Sequence, residues 1–208
     1  MKEFIFVRHG ETQDNKEGIL QGHLDVSLNE TGLKEAEKIA EHLRRIKFDA
    51  IFSSDLTRGM QCAQEIQKNT LHLKIKKDKL LREKNLGAHQ GKQLFKDLGY
   101  EDNSYNSMVK HLYECKCPNG ETNGQLLERI KKFLLSVNKI ENKMVLVVTH
   151  GGVVMLLLNY LLKEEIKFEN SRQHKNGYVS YLKLDNNLEV IDSLINVHVS
   201  EVVNYLKK

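Results

Sequence analysis

The chain has 208 residues, 40% apolar and 29% charged, the balance of a soluble globular protein long enough for one well-packed domain and short for two. Thirty-two basic and 28 acidic residues leave a net charge of +4, too mild to point to a polyanion. No stretch approaches the roughly 18 apolar residues of a membrane span, and the N-terminus lacks the pattern of a secretory signal.

The elements are taken in chain order. Residues 3–7 predict a buried strand. "SLNETGLKEAEKIAEHLRRIKF" predicts a helix, started by a cap at Asn29 or Thr31, with Leu33, Ala36, Ala40 and Leu43 on its apolar face. "DAIFSS" is a second short strand. A helix follows from about Leu56 to Lys68, with Met60, Ala63 and Ile66/Gln67 facing inward. "LHLKIKKD" alternates, so Lys74, Lys76, Lys77 and Lys79 read as a solvated face; no nucleic-acid-binding motif accompanies them. "LREKNLGAHQGK" is a loop with two glycines, and residues 93–119 hold a weakly amphipathic helical stretch and end at the only proline, Pro118.

"GETNGQLLERIKKFLLSVNKI" is a strong helix with Leu126, Leu127, Ile130, Phe133, Leu134 and Val137 as its stripe. "KMVLVVTH" is almost continuously apolar, as a strand buried on both faces must be. The helix "GGVVMLLLNYLL" comes next, then a hairpin of "YVSYLKLD" and "LEVIDSLIN" turning at Asp185-Asn186-Asn187. Strands alternating with helices predict an α/β three-layer sandwich with a mostly parallel central sheet. Such sheets bind ligands at the carboxyl ends of their strands. Of the three cysteines, Cys115 and Cys117 form a Cys-x-Cys without a second pair to complete a zinc site, and all three read as free thiols of a reducing cytoplasm.

Two predicted strands end alike. "FIFV" runs into Arg8-His9-Gly10, and "VLVV" into Thr149-His150-Gly151-Gly152. A third strand leads through "FSSDLTR" to Arg58 in the first turn of a helix. A lone histidine at a strand end is commonly a structural hydrogen-bonding residue. Two histidines and two arginines at one sheet edge need a partner that offsets their desolvation. An anion does so: arginine forks match phosphate oxygens in pairs, and helix starts after Gly10 and Gly151 can offer backbone N–H groups. A histidine among arginines stays neutral, and a neutral imidazole is a nucleophile able to attack phosphorus.

"VRHGETQDN" resembles the signature of the histidine phosphatase (phosphoglycerate-mutase-like) superfamily. "QGHLDVSLNETGLKEA", "SSDLTRGMQCA", "LREKNLG", "PNGET" and "VVTHGG" resemble its further elements in order. The resemblance implies a phosphohistidine intermediate on His9. It also implies a phosphoryl clamp of Arg8, Arg58 and His150, an acid at Glu83, and a substrate pocket lined by Gly10, Asn15, Gln21, Gly22 and Gly151. On the residues alone, Glu83 between Arg82 and Lys84 reads as a surface ion pair. Glu11 reads as fixing its loop, Glu121 as a helix-start acid. His23, His89 and Thr122 divide evenly between pocket and surface.

Ser27, Gly59 and Cys62 depart from the family's proline, alanine and threonine, which touches helix and loop stability more than chemistry. A mutase of this family carries a Gly-Leu-Asn-Lys run and a later arginine pair; "LREKNLGAHQGKQLF" and the residues after it have neither. The resemblance is therefore to the phosphatase branch, of TIGAR-type fructose-2,6-bisphosphatase, broad-specificity or alpha-ribazole phosphatase kind. The expectation is a cytoplasmic phosphatase spanning residues 1–208 as one domain, with the substrate pocket built from residues 14–23 and 85–120 and residues about 85–120 as its lid. It would act on a small phosphomonoester without metal or cofactor, as monomer or homodimer, with no nucleic-acid or membrane partner. A mutase and a catalytically silent binding module are the alternatives.

Overall fold

β1 (Lys2–Arg8) is paired on both sides, so its apolar residues must be covered from both faces. Phe4 and Phe6 join one apolar cluster and Ile5 and Val7 the other, as the two-residue period of a strand requires. β4 (Met144–Thr149) repeats this, with Val145 and Val147 in the first cluster and Leu146 and Val148 in the second. The computed structural model describes residues 1–70, 72–101, 107, 110, 111, 114, 117–141, 143–163 and 178–207.

With β2 (Ala50–Ser53), β3 (Ile75–Lys77), β5 (Tyr178–Leu184) and β6 (Val190–His198), these strands form a six-stranded sheet ordered β3-β2-β4-β1-β5-β6. The first four positions are parallel; β5 runs antiparallel to β1, and β6 to β5. The closing hairpin turns where predicted: the Asp185 carboxylate accepts the amides of Asn187 and Glu189, each at 2.8 Å. Helices α2 (Glu30–Leu43), α3 (Thr57–Gln67) and α7 (Val199–Tyr205) cover the face of Ile5 and Val7; α5 (Asn123–Asn138) and α6 (Gly151–Leu161) cover the other. The α/β three-layer sandwich is therefore present, with a mixed sheet. Among the described residues no helix is long and apolar enough to cross a membrane.

Several local expectations shift. Asn29, not Thr31, caps α2, its carboxamide oxygen accepting Gly32 N–H at 2.8 Å. Leu33 is 37% exposed, and the buried stripe is Gly32, Ala36, Ile39, Ala40 and Leu43. Leu33 lies one residue, about 100° of helix rotation, away from that stripe. In α3 the buried positions are Arg58, Gly59, Cys62, Ala63 and Ile66, while Met60 and Gln67 are only partly covered. Two short helices, α1 (Gln13–Glu17) and α7, go beyond the sequence reading, being too short to show a full helical period; a third, α4 (Leu94–Leu98), falls within the stretch read as weakly helical. The lysines of 74–79 are exposed, as expected. Cys62 is a free thiol, pushed up to about 12 by burial, whereas Cys117 is disulfide-bonded, which corrects the free-thiol reading for that residue. Cys115 lies outside the described residues.

Phe133 is fully buried, its ring packed edge-on to Phe52 with centroids 5.3 Å apart. Phe133→Ala is expected to cost about 3–5 kcal/mol in a denaturant titration, and Leu33→Ala less than about 1 kcal/mol. Similar losses for the two would contradict this assignment of the α2 face.

Candidate active site at the carboxyl edge of the sheet

Parallel pairing of β1 with β4 sets Arg8 opposite Thr149, and His9 N–H donates to the Thr149 carbonyl at 3.0 Å. Ser54, just past β2, donates its N–H to the Val148 carbonyl at 2.9 Å. The residues leaving three parallel strands, His9, Ser54 and His150, thus reach one edge, where such sheets place ligands.

The His9 ring has a defined tautomer. Its Nδ1 lies 2.7 Å from the Gly10 carbonyl, which only accepts, so Nδ1 carries the proton. Nε2 keeps its lone pair and accepts from Arg58 Nε at 3.2 Å. Burial, then the charges of Arg58 and Arg8, hold the His9 pKa well below that of an ordinary imidazole. Gly10 does not line the cavity. A Cβ on it would meet the Gly32 carbonyl oxygen at 2.3 Å, so glycine is needed for the close approach of this loop to α2.

Arg58 is 1% exposed. Its Nη1 and Nη2 donate to the carbonyls of Leu24 and Gly22 at 2.7 and 2.8 Å, which fixes the fork beside His9. Burial lowers its pKa to about 10, so it stays cationic at neutral pH. The 22–24 turn is braced in return by Asp25, whose carboxylate accepts Thr57 N–H and Oγ–H at 2.6 and 3.0 Å.

His150 is fully buried beside His9, ring centroids 5.0 Å apart. Its Nε2 lies 2.8 Å from Ser54 Oγ. Among the described residues its Nδ1 has no hydrogen-bond partner. With the Ser54 hydroxyl donating to Nε2, Nδ1 is an N–H donor awaiting an acceptor. Burial first, then Arg58 and His9, push its pKa well below the usual value. Gly151 lies under the Arg8 guanidinium: a Cβ there would stand 3.3 Å from Arg8 Cζ.

Glu83 is not a surface ion pair. Arg82 pairs instead with Asp55 through two contacts of 2.7 and 2.6 Å, while Glu83 turns inward and is 9% exposed. Its carboxylate accepts Lys84 N–H at 2.8 Å and, from the first turn of α6, Gly152 N–H at 3.1 Å. A Cβ on Gly152 would lie 2.5 Å from Glu83 Oε1, so a larger residue would displace the carboxylate. The Glu83 carbonyl is held by His23 Nε2 at 2.9 Å and Arg129 Nη2 at 2.8 Å. Arg129 is itself clamped by Glu121 at 2.7 and 2.9 Å.

One cavity of about 50 Å³ gathers Arg8, His9, Asn15, Gln21, Gly22, Arg58 and Glu83, together with Ile19, Leu20 and Leu86. Nothing in the sequence singles out those last three: apolar residues in an irregular loop carry no chemical signature. Sequence reasoning also misses Ser54 and Arg129, although Ser54 sits inside the "SSDLTR" stretch. Asn15 also completes the capping box of α1 with Thr12, and Gln21 Nε2 donates to Thr12 Oγ at 2.8 Å. Glu11 binds Asn29 Nδ2 at 2.7 Å and braces its loop. Thr122 caps α5 with Gln125 and is not a pocket residue. His89 faces His111.

A basic, buried pocket at the edge of an α/β sandwich, with a neutral imidazole against a guanidinium, suits an anionic group such as a phosphoryl. The histidine phosphatase superfamily (branch 1) model matches residues 4–197. Phosphoglycerate mutase-like protein 4 of Arabidopsis thaliana is 35% identical over 158 residues, 74% of this chain and 69% of that one. The metal-independent phosphoserine phosphatase of the same plant is 31% identical over 209 residues, 99% and 86%. A mycobacterial glucosyl-3-phosphoglycerate phosphatase, solved with VO3, superposes with a TM-score of 0.78 at 25% identity, covering 95% of this chain and 98% of that one. The chain belongs to the histidine phosphatase superfamily and is a phosphatase.

The buried histidines make stability depend on pH. Unfolded, His9 and His150 titrate near about 6.5; folded, both resist protonation. Below that pH the unfolded chain binds protons that the folded one refuses, so stability present at neutral pH is lost on acidification. Each histidine contributes a slope of at most about 1.4 kcal/mol per pH unit. The melting temperature is expected to fall from pH 7 to 5, and less steeply in His150→Asn; parallel curves for the two proteins would remove His150 from this account.

Proposed function

We propose that the chain hydrolyses small phosphomonoesters, of sugar-phosphate or phosphoglycerate type, through a phosphohistidine on His9. The observation that carries this reading is the His9 tautomer. Nδ1 is tied to Gly10, and Nε2 keeps its lone pair, shared with Arg58 Nε, in a pocket lined by Arg8 and Arg58. Nε2 attacks phosphorus while the bond to the leaving oxygen breaks, and Glu83 protonates that oxygen. Arg8, Arg58 and His150 Nδ1–H hold the phosphoryl oxygens, and the Gly10 carbonyl stabilises the ring's positive charge. Water then attacks phosphorus, Glu83 takes its proton, and the P–N bond breaks to return neutral His9. The two guanidiniums supply the positive charge that metal ions supply elsewhere, and His150 adds a neutral N–H donor.

Substrate class is supported by chemistry and by the relatives. The cavity has room for little more than a phosphoryl group, so the rest of the ester would lie against the segment near residues 85–120. Leu20, Leu86, Leu94 and Cys117 form a small apolar cluster there. Backbone bonds from Leu20 N–H to Lys92 O and Gly91 N–H to Leu20 O attach that segment to the pocket wall. In this reading residues 1–208 are one domain with this segment as its lid. Phosphoserine and glucosyl-3-phosphoglycerate, named for the relatives, are small phosphomonoesters of this kind.

With a panel of such esters the protein is expected to release free phosphate. His9→Ala should lose at least about a thousandfold in kcat and trap no acid-labile, alkali-stable phosphate on the protein. Efficient 3- to 2-phosphoglycerate isomerisation without phosphate release would establish the mutase instead, and equal residual activity in wild type and His9→Ala a binding module. Glu83→Gln should cost about a hundredfold or more on an alkyl phosphate and much less on nitrophenyl phosphate, whose leaving group needs no proton. Equal losses on both would exclude Glu83 as the acid.

A further inference from the structure

Beside the pocket, a second group of side chains converges without any part in the proposed reaction. The ligand atoms of His89, His111 and Cys117 all lie within 4.8 Å of one another. His89 Nδ1 is 3.2 Å from His111 Nε2, and Cys117 Sγ is 3.8 Å from the same nitrogen. With Zn–N bonds of about 2.0–2.1 Å and Zn–S of about 2.3 Å, the edges of a tetrahedral site are about 3.3 Å between nitrogens and about 3.6 Å between nitrogen and sulfur. The two spacings at His111 Nε2 lie within about 0.2 Å of those edges.

The orientation of His111 also fits ligation. His111 Nδ1 lies 2.9 Å from the Tyr100 hydroxyl. With Nδ1–H donating there, His111 Nε2 presents a lone pair to the centre of the group, and the ring is held in orientation as metal-bound histidines are. His111 and Cys117 are buried, where a thiolate needs a neutralising charge at contact distance. The backbone already joins the two segments involved, Ala88 N–H donating to the Pro118 carbonyl at 2.9 Å.

We propose that His89, His111 and Cys117 form a redox-gated binding site for a thiophilic divalent cation, zinc foremost, separate from the catalytic pocket. Histidine and thiolate together select zinc over magnesium or calcium, which take oxygen ligands. Three protein ligands leave the fourth position to water or a further ligand. Cys117 is disulfide-bonded in this structure, and a disulfide sulfur offers no thiolate. Disulfide and metal therefore exclude each other. A thiol reductant supplies two electrons, which with two protons convert the disulfide to two thiols; zinc binding then releases the Cys117 proton to solvent. The bound ion would tie the 3-10 turn Gly87–His89 to Cys117, next to Leu86 on the cavity wall, and so brace the rim of the pocket.

The test is a zinc titration of the whole protein against a chromophoric chelator, once reduced with a phosphine under argon and once in the disulfide form. The reduced protein is expected to take up one zinc per chain, and the disulfide form to bind at least tenfold more weakly. His89→Ala, His111→Ala and Cys117→Ser should each weaken uptake at least tenfold, while Cys62→Ser leaves it unchanged. Cobalt(II) in the reduced protein should give a thiolate charge-transfer band that Cys117→Ser abolishes. His89 is the least buried of the three, so His89→Ala keeps the test valid if His111→Ala does not fold. Absence of stoichiometric uptake by the reduced protein, or uptake that survives in Cys117→Ser or in the disulfide form, overturns the proposal.

Discussion

The buried guanidinium of Arg58 is the constraint around which the site is organised. A cation taken out of water needs acceptors, and here two backbone carbonyls and the His9 lone pair provide them. Providing them requires the chain between β1 and α2 to turn so that the Gly22 and Leu24 carbonyls face α3. It requires α3 to begin where Arg58 falls in its first turn, a start braced by Asp25. It also requires the His9 proton to sit on the far nitrogen, which the Gly10 carbonyl ensures. Burial, with that same charge beside it, keeps His9 unprotonated, so the electrostatics of folding and those of the proposed nucleophilic attack are one arrangement.

Glu83 shows the same economy on the opposite wall. A carboxylate near two guanidiniums could swing into a salt bridge and be lost to chemistry. Backbone amides on either side hold it instead, one from its own loop and one from the first turn of α6. Behind it, His23 and the Arg129–Glu121 pair fix the peptide that carries it. That places the positioning of one side chain on four separate segments, so small shifts in α5 or α6 are felt at the pocket.

The legible part of the fold was its periodicity. β1, β4, α5 and the closing hairpin stand where their patterns put them, because strands buried on both faces and helices with a wide apolar stripe leave long, regular signals. The errors at Leu33 and Met60 arose because several phases of a helix fit a sequence with many apolar residues, and only contact with the sheet selects one. α1 and α7 are held by capping boxes and neighbours over a turn or two, below the length at which a period can be read. The irregular loop from 81 to 93 was readable as a loop, yet its outcome rests on hydrogen bonds between residues distant in sequence, such as His23 to Glu83.

For the site, the sequence alone determined which residues arrive at the sheet edge. Arg8-His9 and His150 directly follow apolar runs, and a parallel sheet brings the ends of such runs together. Tertiary structure alone decided what each residue does there. Glu83 faces inward and Arg82 outward because Asp55 waits on the other side. Gly10 must be a glycine because the Gly32 backbone lies against it. His89, which could have been pocket or surface, meets His111 and Cys117 because the loops carrying them pack together. Local pattern reports how a chain is solvated along its length; which neighbour a polar side chain meets is settled only when distant segments compete for the same space.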